Sequence, residues 1–204
     1  MGERLSIFPL AGALLFPRGH LPLHIFEPRY RAMVSDSLAR DRRIAMIQPR
    51  GPGEPPPLFD VGCVGHIHEV ERLDDGRFNL ILAGLTRFRI LRELDVTTPF
   101  RQVEADLQAF EDIAAPDALP SIVRAEIERE ARRFADVRGI AVDWTGVSRL
   151  DDETLVNAIC ALAPFDVASK QALLEAETLE VRADLLAQIL AFFRRGDDDG
   201  ATLQ

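Results

Sequence analysis

The chain predicts an α+β fold in which a strand-rich first half gives way to a helical second half. Three observations carry this reading. Apolar and polar residues alternate over short runs up to Leu107, apolar residues recur at helical spacing from Pro120 onward, and Glu111 to Pro120, rich in Ala, Asp and Pro, marks a boundary. The expected parts are a strand-rich unit over 1–115 that closes into something barrel-like, a helical bundle over 116–195, and a disordered acidic end over 196–204. No internal repeat is evident.

Along the first half, strands are expected over Arg4–Phe8, Ile44–Gln48, Cys63–Leu73, Arg77–Ala83, Arg87–Leu94 and Arg101–Leu107. Pro22 favours an extended backbone, Leu23, Ile25 and Phe26 supply apolar anchors, and Pro28 suits a first helical residue because its missing N–H goes unused there. An extended segment therefore turns into a helix at Glu27, running to about Arg40. Asp75-Gly76 is a strong hairpin turn, and Gly84 reads as a second, so residues 63 to 94 form a three-stranded meander. Pro49 to Pro57 is a stiff loop.

In the second half the helical spacing runs through Val123, Ile127, Ala131 and Phe134, then Leu155, Ile159 and Leu162, then Leu173 and Leu174. A last helix carries Val181, Leu185, Leu186, Ile189, Leu190 and Phe193, with Thr178 as its N-cap.

Composition bounds the function. Of 204 residues, 47% are hydrophobic and 28% charged, and no apolar run approaches the roughly 20 residues needed to span a bilayer. No membrane segment is expected. Arg4 followed by Ile7 to Phe16 has the look of a short signal peptide, but Glu3 and Pro9 speak against it. With only Cys63 and Cys160, both read as buried thiols, the expected location is the cytoplasm, and the 23 arginines against one lysine suggest a GC-rich bacterial genome. The formal charge of −9 disfavours a general nucleic-acid binder, since phosphate binding draws on Lys and Arg.

The pieces LFPRGHLPLHIFEPRYRAM, VGHIHEVERLDDGRFNLILAGLTRFRI and KQALLEAETLEVRADLL, in this order and spacing, resemble the amino-terminal, substrate-binding domain of the ATP-dependent protease Lon. The resemblance runs from about Leu5 to Phe193. It implies a PUA-like pseudo-barrel followed by a helical bundle, and a task in capturing polypeptides. The chain ends at Gln204, so the ATPase and protease domains of a full Lon protease are not expected in it.

The residues agree that no such catalysis is encoded here. A P-loop needs a lysine after glycine, yet the sole lysine, Lys170, follows Ser169 and reads as a solvent-facing helix residue. Neither a G-x-S-x-G elbow nor an S-x-x-K signature occurs. His66 and His68 share one face of a strand with Cys63 on the other unless a bulge intervenes. His20 and His24 would lie about 13 Å apart if extended, too far for one metal. No cofactor and no metal are expected.

The chain is therefore read as a non-catalytic protein-recognition module for polypeptide substrates or a dedicated protein partner. The candidate partner-binding residues are Phe16, Pro17, His20, Leu21 and Leu23, in a Pro-bracketed stretch that costs little to order. The alternatives are an RNA-binding PUA-like module, on fold analogy, and a small metal-dependent hydrolase with an unrecognised site.

Overall fold

The computed structural model describes residues 2–201, with side chains through residue 194. The order is β1 (Glu3–Pro9), β2 (His20–Ile25), α1 (Pro28–Leu38), β3 (Arg43–Pro49), β4 (Leu58–Arg72), β5 (Phe78–Glu93) and β6 (Gln102–Asp106). There follow α2 (Ser121–Arg138), α3 (Trp144–Val147), α4 (Asp152–Leu162), α5 (Val167–Glu175) and α6 (Leu179–Ala201). The chain divides into two compact units, residues 1–115 with 166–174, and residues 116–165 with 175–204. The acidic end expected at 196–204 lies outside the described side chains, with backbone given only to Ala201 in α6.

The strand-rich unit is one six-stranded sheet in the order β2-β5-β4-β3-β1-β6, with β5 also pairing β6. The pairings thus return on themselves through the second half of β5, while its first half carries β2, which is why this is a pseudo-barrel and not a full one. All pairings are antiparallel except β1 with β3. Two apolar clusters fill it. One gathers Leu15, Ile25, Tyr30, Met33, Met46, Ile67, Phe78 and Leu82, and the other Ile7, Ile47, Val64, Phe88 and Val103.

The Asp75-Gly76 hairpin forms as expected, with Gly76 at φ 79° and the Asp75 carboxylate accepting the Arg77 backbone N–H and its Nε. Gly84, in contrast, is no turn. β5 runs unbroken over 16 residues, so the expected meander is a single long hairpin. Glycine is needed there because the backbone at Phe16 crosses so closely that a Cβ would lie 1.9 Å from the Phe16 carbonyl oxygen.

Lys170 is also placed otherwise than its helical spacing suggests. It is buried and donates to the Gly12 carbonyl at 2.8 Å. Beside it Gln48 accepts from the Gly12 N–H and donates to the Val167 carbonyl and Gln171 Oε1, while Gln171 Nε2 donates to the Val61 carbonyl. Residues of α5 thus turn polar side chains toward the sheet, where each buried group finds a partner.

In the helical unit α2 and α4 both pack against α6. Ile127, Phe134, Leu155, Cys160, Leu186 and Leu190 are buried. Gly139 at φ 65° ends α2 in the left-handed conformation glycine adopts without strain. Asp151 caps α4, accepting from the Thr154 N–H at 2.8 Å and its hydroxyl at 2.7 Å, and these bonds hold its carboxyl below the ordinary value. Asp151→Ala is expected to cost about 1 kcal/mol at neutral pH. Because the folded-state pKa is depressed, the contribution is complete above the unfolded value near ~4 and is lost as pH falls through the folded one. Thermal melts of both proteins at neutral and acid pH check this: the gap between them closes in acid.

Candidate functional site

The outer face of the β2–β5–β4 corner is built from alternation. β2 pairs β5 from His20↔Ala83 to Ile25↔Phe78, so Leu21, Leu23 and Ile25 turn toward the core while His20, Pro22 and His24 turn outward. β5 contributes Asn79 and Ile81 to the same face, and β4 contributes Glu69 and Glu71, opposite Ile81 and Asn79. Pro22, His24, Asn79, Ile81, Glu69 and Glu71, with Leu23, Val70 and Leu80, line an open groove of about 560 Å³. Phe26 stands beside it, 60% exposed, its ring 6.2 Å from that of His24 and inclined to it by 27°.

A polar ladder crosses the groove. His24 Nδ1 and Asn79 Oδ1 are 2.7 Å apart, Asn79 Nδ2 donates to Glu71 Oε2 at 2.9 Å, and Arg77 Nη1 lies 3.2 Å from His24 Nε2. Arg77 is also tied to Asp75, whose carboxyl is lowered first by the Arg77 backbone N–H and then by its guanidinium. The side chains are thereby oriented across three strands. Between them Pro22 and Ile81 supply apolar surface, and the charged groups in the lining, Glu69 and Glu71, have the wrong sign for a phosphate backbone.

The expected partner-binding residues separate into two sets. Phe16 and Pro17 are buried, with Phe16 2% exposed, so they belong to the packing beneath the sheet. His20 is exposed, and Leu21 and Leu23 are half-buried against the first apolar cluster. Sequence reading missed Asn79, Ile81, Glu69 and Glu71 as groove residues and Phe26 as an exposed neighbour of the groove. Only alternation in β5 hinted at Asn79 and Ile81, and the bulge in β4 between Ile67 and Glu69, which sets the two glutamates on this face, has no sequence signal.

The same bulge separates His66 from His68 in exposure, and the His68 ring sits 6.0 Å from that of His20. Among the described residues no three His, Cys, Asp or Glu side chains are grouped to hold a metal ion. Among the described residues no helix is long and apolar enough to cross a membrane.

A pseudo-barrel bearing an open, part-apolar groove defines a binding domain of the α+β class. The chain belongs to the family described as the ATP-dependent protease La (LON) substrate-binding domain, which matches it over residues 4–191. It corresponds to the non-catalytic, amino-terminal region of that protease. It is 26% identical over 194 residues to the Lon protease of Anaeromyxobacter dehalogenans and to Lon protease 2 of Myxococcus xanthus, covering 91% of this chain and 23% of each of those proteins. The chain thus spans about a quarter of the length of the curated relatives it matches. The fold is that of the Lon N-terminal domain protein from Xanthomonas campestris, with a TM-score of 0.67 and 21% identity. The N-terminal domain of Mycobacterium avium complex Lon protease also has a TM-score of 0.67, at 17% identity. Each comparison covers 93% of this chain and 98% of the other.

Proposed function

We propose that this chain recognises polypeptides, as substrates or as a dedicated partner, through the outer face of the β2–β5–β4 corner. The observation that carries the reading is the family match to a substrate-binding domain over 4–191. The groove supports it with exposed apolar groups on a rigid sheet, which costs little ordering entropy on binding. His20, Leu21 and Leu23 contribute from β2, while buried Phe16 and Pro17 brace that strand. Cys63 and Cys160 are both buried and not joined in a disulfide, which suits work in the cytoplasm.

The test is fluorescence anisotropy with a labelled, permanently unfolded protein. The expected dissociation constant is on the order of micromolar or weaker, with little dependence on salt because apolar contact dominates. Phe26→Asp together with Ile81→Asp, both at solvent-accessible positions, is expected to weaken binding by about tenfold or more, since two apolar contacts of ~1 kcal/mol each are lost. Unchanged affinity in a folded double variant removes this face from the site. Steep loss of binding with salt would instead point to charge-driven association.

A further inference from the structure

We propose that β2 is a docking edge, and that the polypeptide captured here binds as an added β-strand, an extended apolar segment of about five or six residues hydrogen-bonded along His20–Ile25. The inference rests on the reading above that the chain binds polypeptide, and specifies how.

The argument begins with the sheet. Among the described residues β2 pairs with β5 and with no other strand, and the end of β4 over Glu69–Arg72 is likewise paired on one side only; that stretch carries Glu69, Glu71 and Arg72, charges that discourage an added strand, whereas β2 offers apolar side chains. In an antiparallel ladder, alternate residues turn their N–H and C=O toward the neighbour and the others turn them away. Two observations fix which are which. The Gly84 N–H donates to the Gly19 carbonyl at 2.8 Å, so Gly19 is in the bonded set, and with it Leu21, Leu23 and Ile25. Pro22 has no N–H to give and falls in the other set, as a proline in a strand must. The N–H and C=O of His20 and His24 and the C=O of Pro22 therefore face the free edge, spaced by about 6.8 Å, twice the ~3.4 Å strand rise.

Such a row of donors and acceptors is complementary to one kind of ligand, another extended main chain. Side chains define its character. On the outer face an added strand lies beside Pro22 and the 60% exposed Phe26, and on the inner face beside Leu21 and Leu23, which pack on the first apolar cluster and stay half-exposed, with no strand beyond β2 among the described residues. Apolar side chains on both faces of the guest bury that surface. A continuous apolar stretch in extended form is what an unfolded protein presents, whereas the single proline in β2 and its shortness limit pairing by long, flat edges.

The test uses the full chain and a labelled hexapeptide of Val, Ile and Thr with terminal lysines, followed by anisotropy and by amide hydrogen exchange. Peptide binding should slow exchange at His20 and His24 by tenfold or more, while Leu21 and Leu23 are protected already in the free protein. A peptide N-methylated on both edges should not bind, and His20→Pro with His24→Pro, which removes the outward N–H groups together with both imidazoles, should bind at least tenfold more weakly than His20→Ala with His24→Ala, which removes the imidazoles alone. If the proline variant fails to fold, exchange and the methylated peptide decide the matter on the unaltered chain. Binding of the peptide and of the unfolded protein with no change at His20 and His24 overturns the docking edge and leaves the recognition face standing. Absence of any binding overturns both. Protection of His20 and His24 without peptide, rising with protein concentration, assigns the edge to a second copy and overturns the proposal.

Discussion

Asp112→Ala is expected to lower the stability of the strand-rich unit by about 3–5 kcal/mol, the range for removing one partner of a buried ion pair. Asp112 and Arg87 are 5% and 2% exposed. The carboxylate accepts from Arg87 Nη2 at 2.9 Å, from Nε at 3.0 Å and from the Arg87 backbone N–H at 2.8 Å. The guanidinium also donates to the Leu174 carbonyl and lies 4.1 Å from the centre of the Phe110 ring, while Arg18 holds the Asp112 carbonyl. Without the carboxylate the buried cation loses its counter-charge, while the Leu174 carbonyl and the Phe110 ring face remain beside it. Asp112→Asn retains part of the hydrogen bonding and should cost less, and replacing both residues with apolar ones of similar volume should cost least. Urea unfolding followed through Tyr30, the single tyrosine, with Trp144, the single tryptophan, reporting on the helical unit, separates the effect by unit. A loss below 1 kcal/mol would show that water replaces the carboxylate.

Gly84→Ala should cost about 3 kcal/mol, the upper part of the range for overpacking, although it adds a single methyl group. The new Cβ would stand 1.9 Å from the Phe16 carbonyl oxygen and 3.3 Å from Leu15 Cδ1. Neither the strand nor the crossing segment can move freely, because the Arg18 N–H donates to the Gly84 carbonyl at 2.9 Å and the Gly84 N–H donates to Gly19. The displaced segment leads directly into β2, so the variant should also lose affinity for unfolded polypeptide. Gly12→Ala is the control. Nothing lies within 4 Å of its Cβ, and the only penalty is its φ of 75°, worth about 1–2 kcal/mol. Thermal and urea unfolding of the two variants, side by side, distinguish crowding from backbone strain; equal losses would mean that the crossing at Phe16 yields.

Much of the architecture was legible without coordinates because it is written in local periodicity. The strand pattern located β1, β3 and β6 within a residue or so, found β4 with its start five residues late and divided β5 in two, while the Pro28 start located α1 and Asp75-Gly76 the hairpin. The three motif pieces were enough to recognise the substrate-binding domain family. None of this required knowing which residues meet.

What meets was decided only in three dimensions. Gly84 carries the same local signal whether it turns a chain or lets another segment pass, and Lys170 sits at a helical position that reads as solvent-facing until Gly12 is placed beside it. Arg87 and Asp112, 25 residues apart, show nothing in sequence of the burial that makes them a pair. The site follows the same division. The sequence alone marked His20, Leu21 and Leu23 as residues of interest, but the tertiary structure decided which faced outward, buried Phe16 and Pro17, and, among the described residues, left β2 paired with β5 alone. Periodicity records how a segment divides into faces; which face is covered depends on contacts between residues far apart in the chain, and those are set by packing and hydrogen bonding of the whole unit.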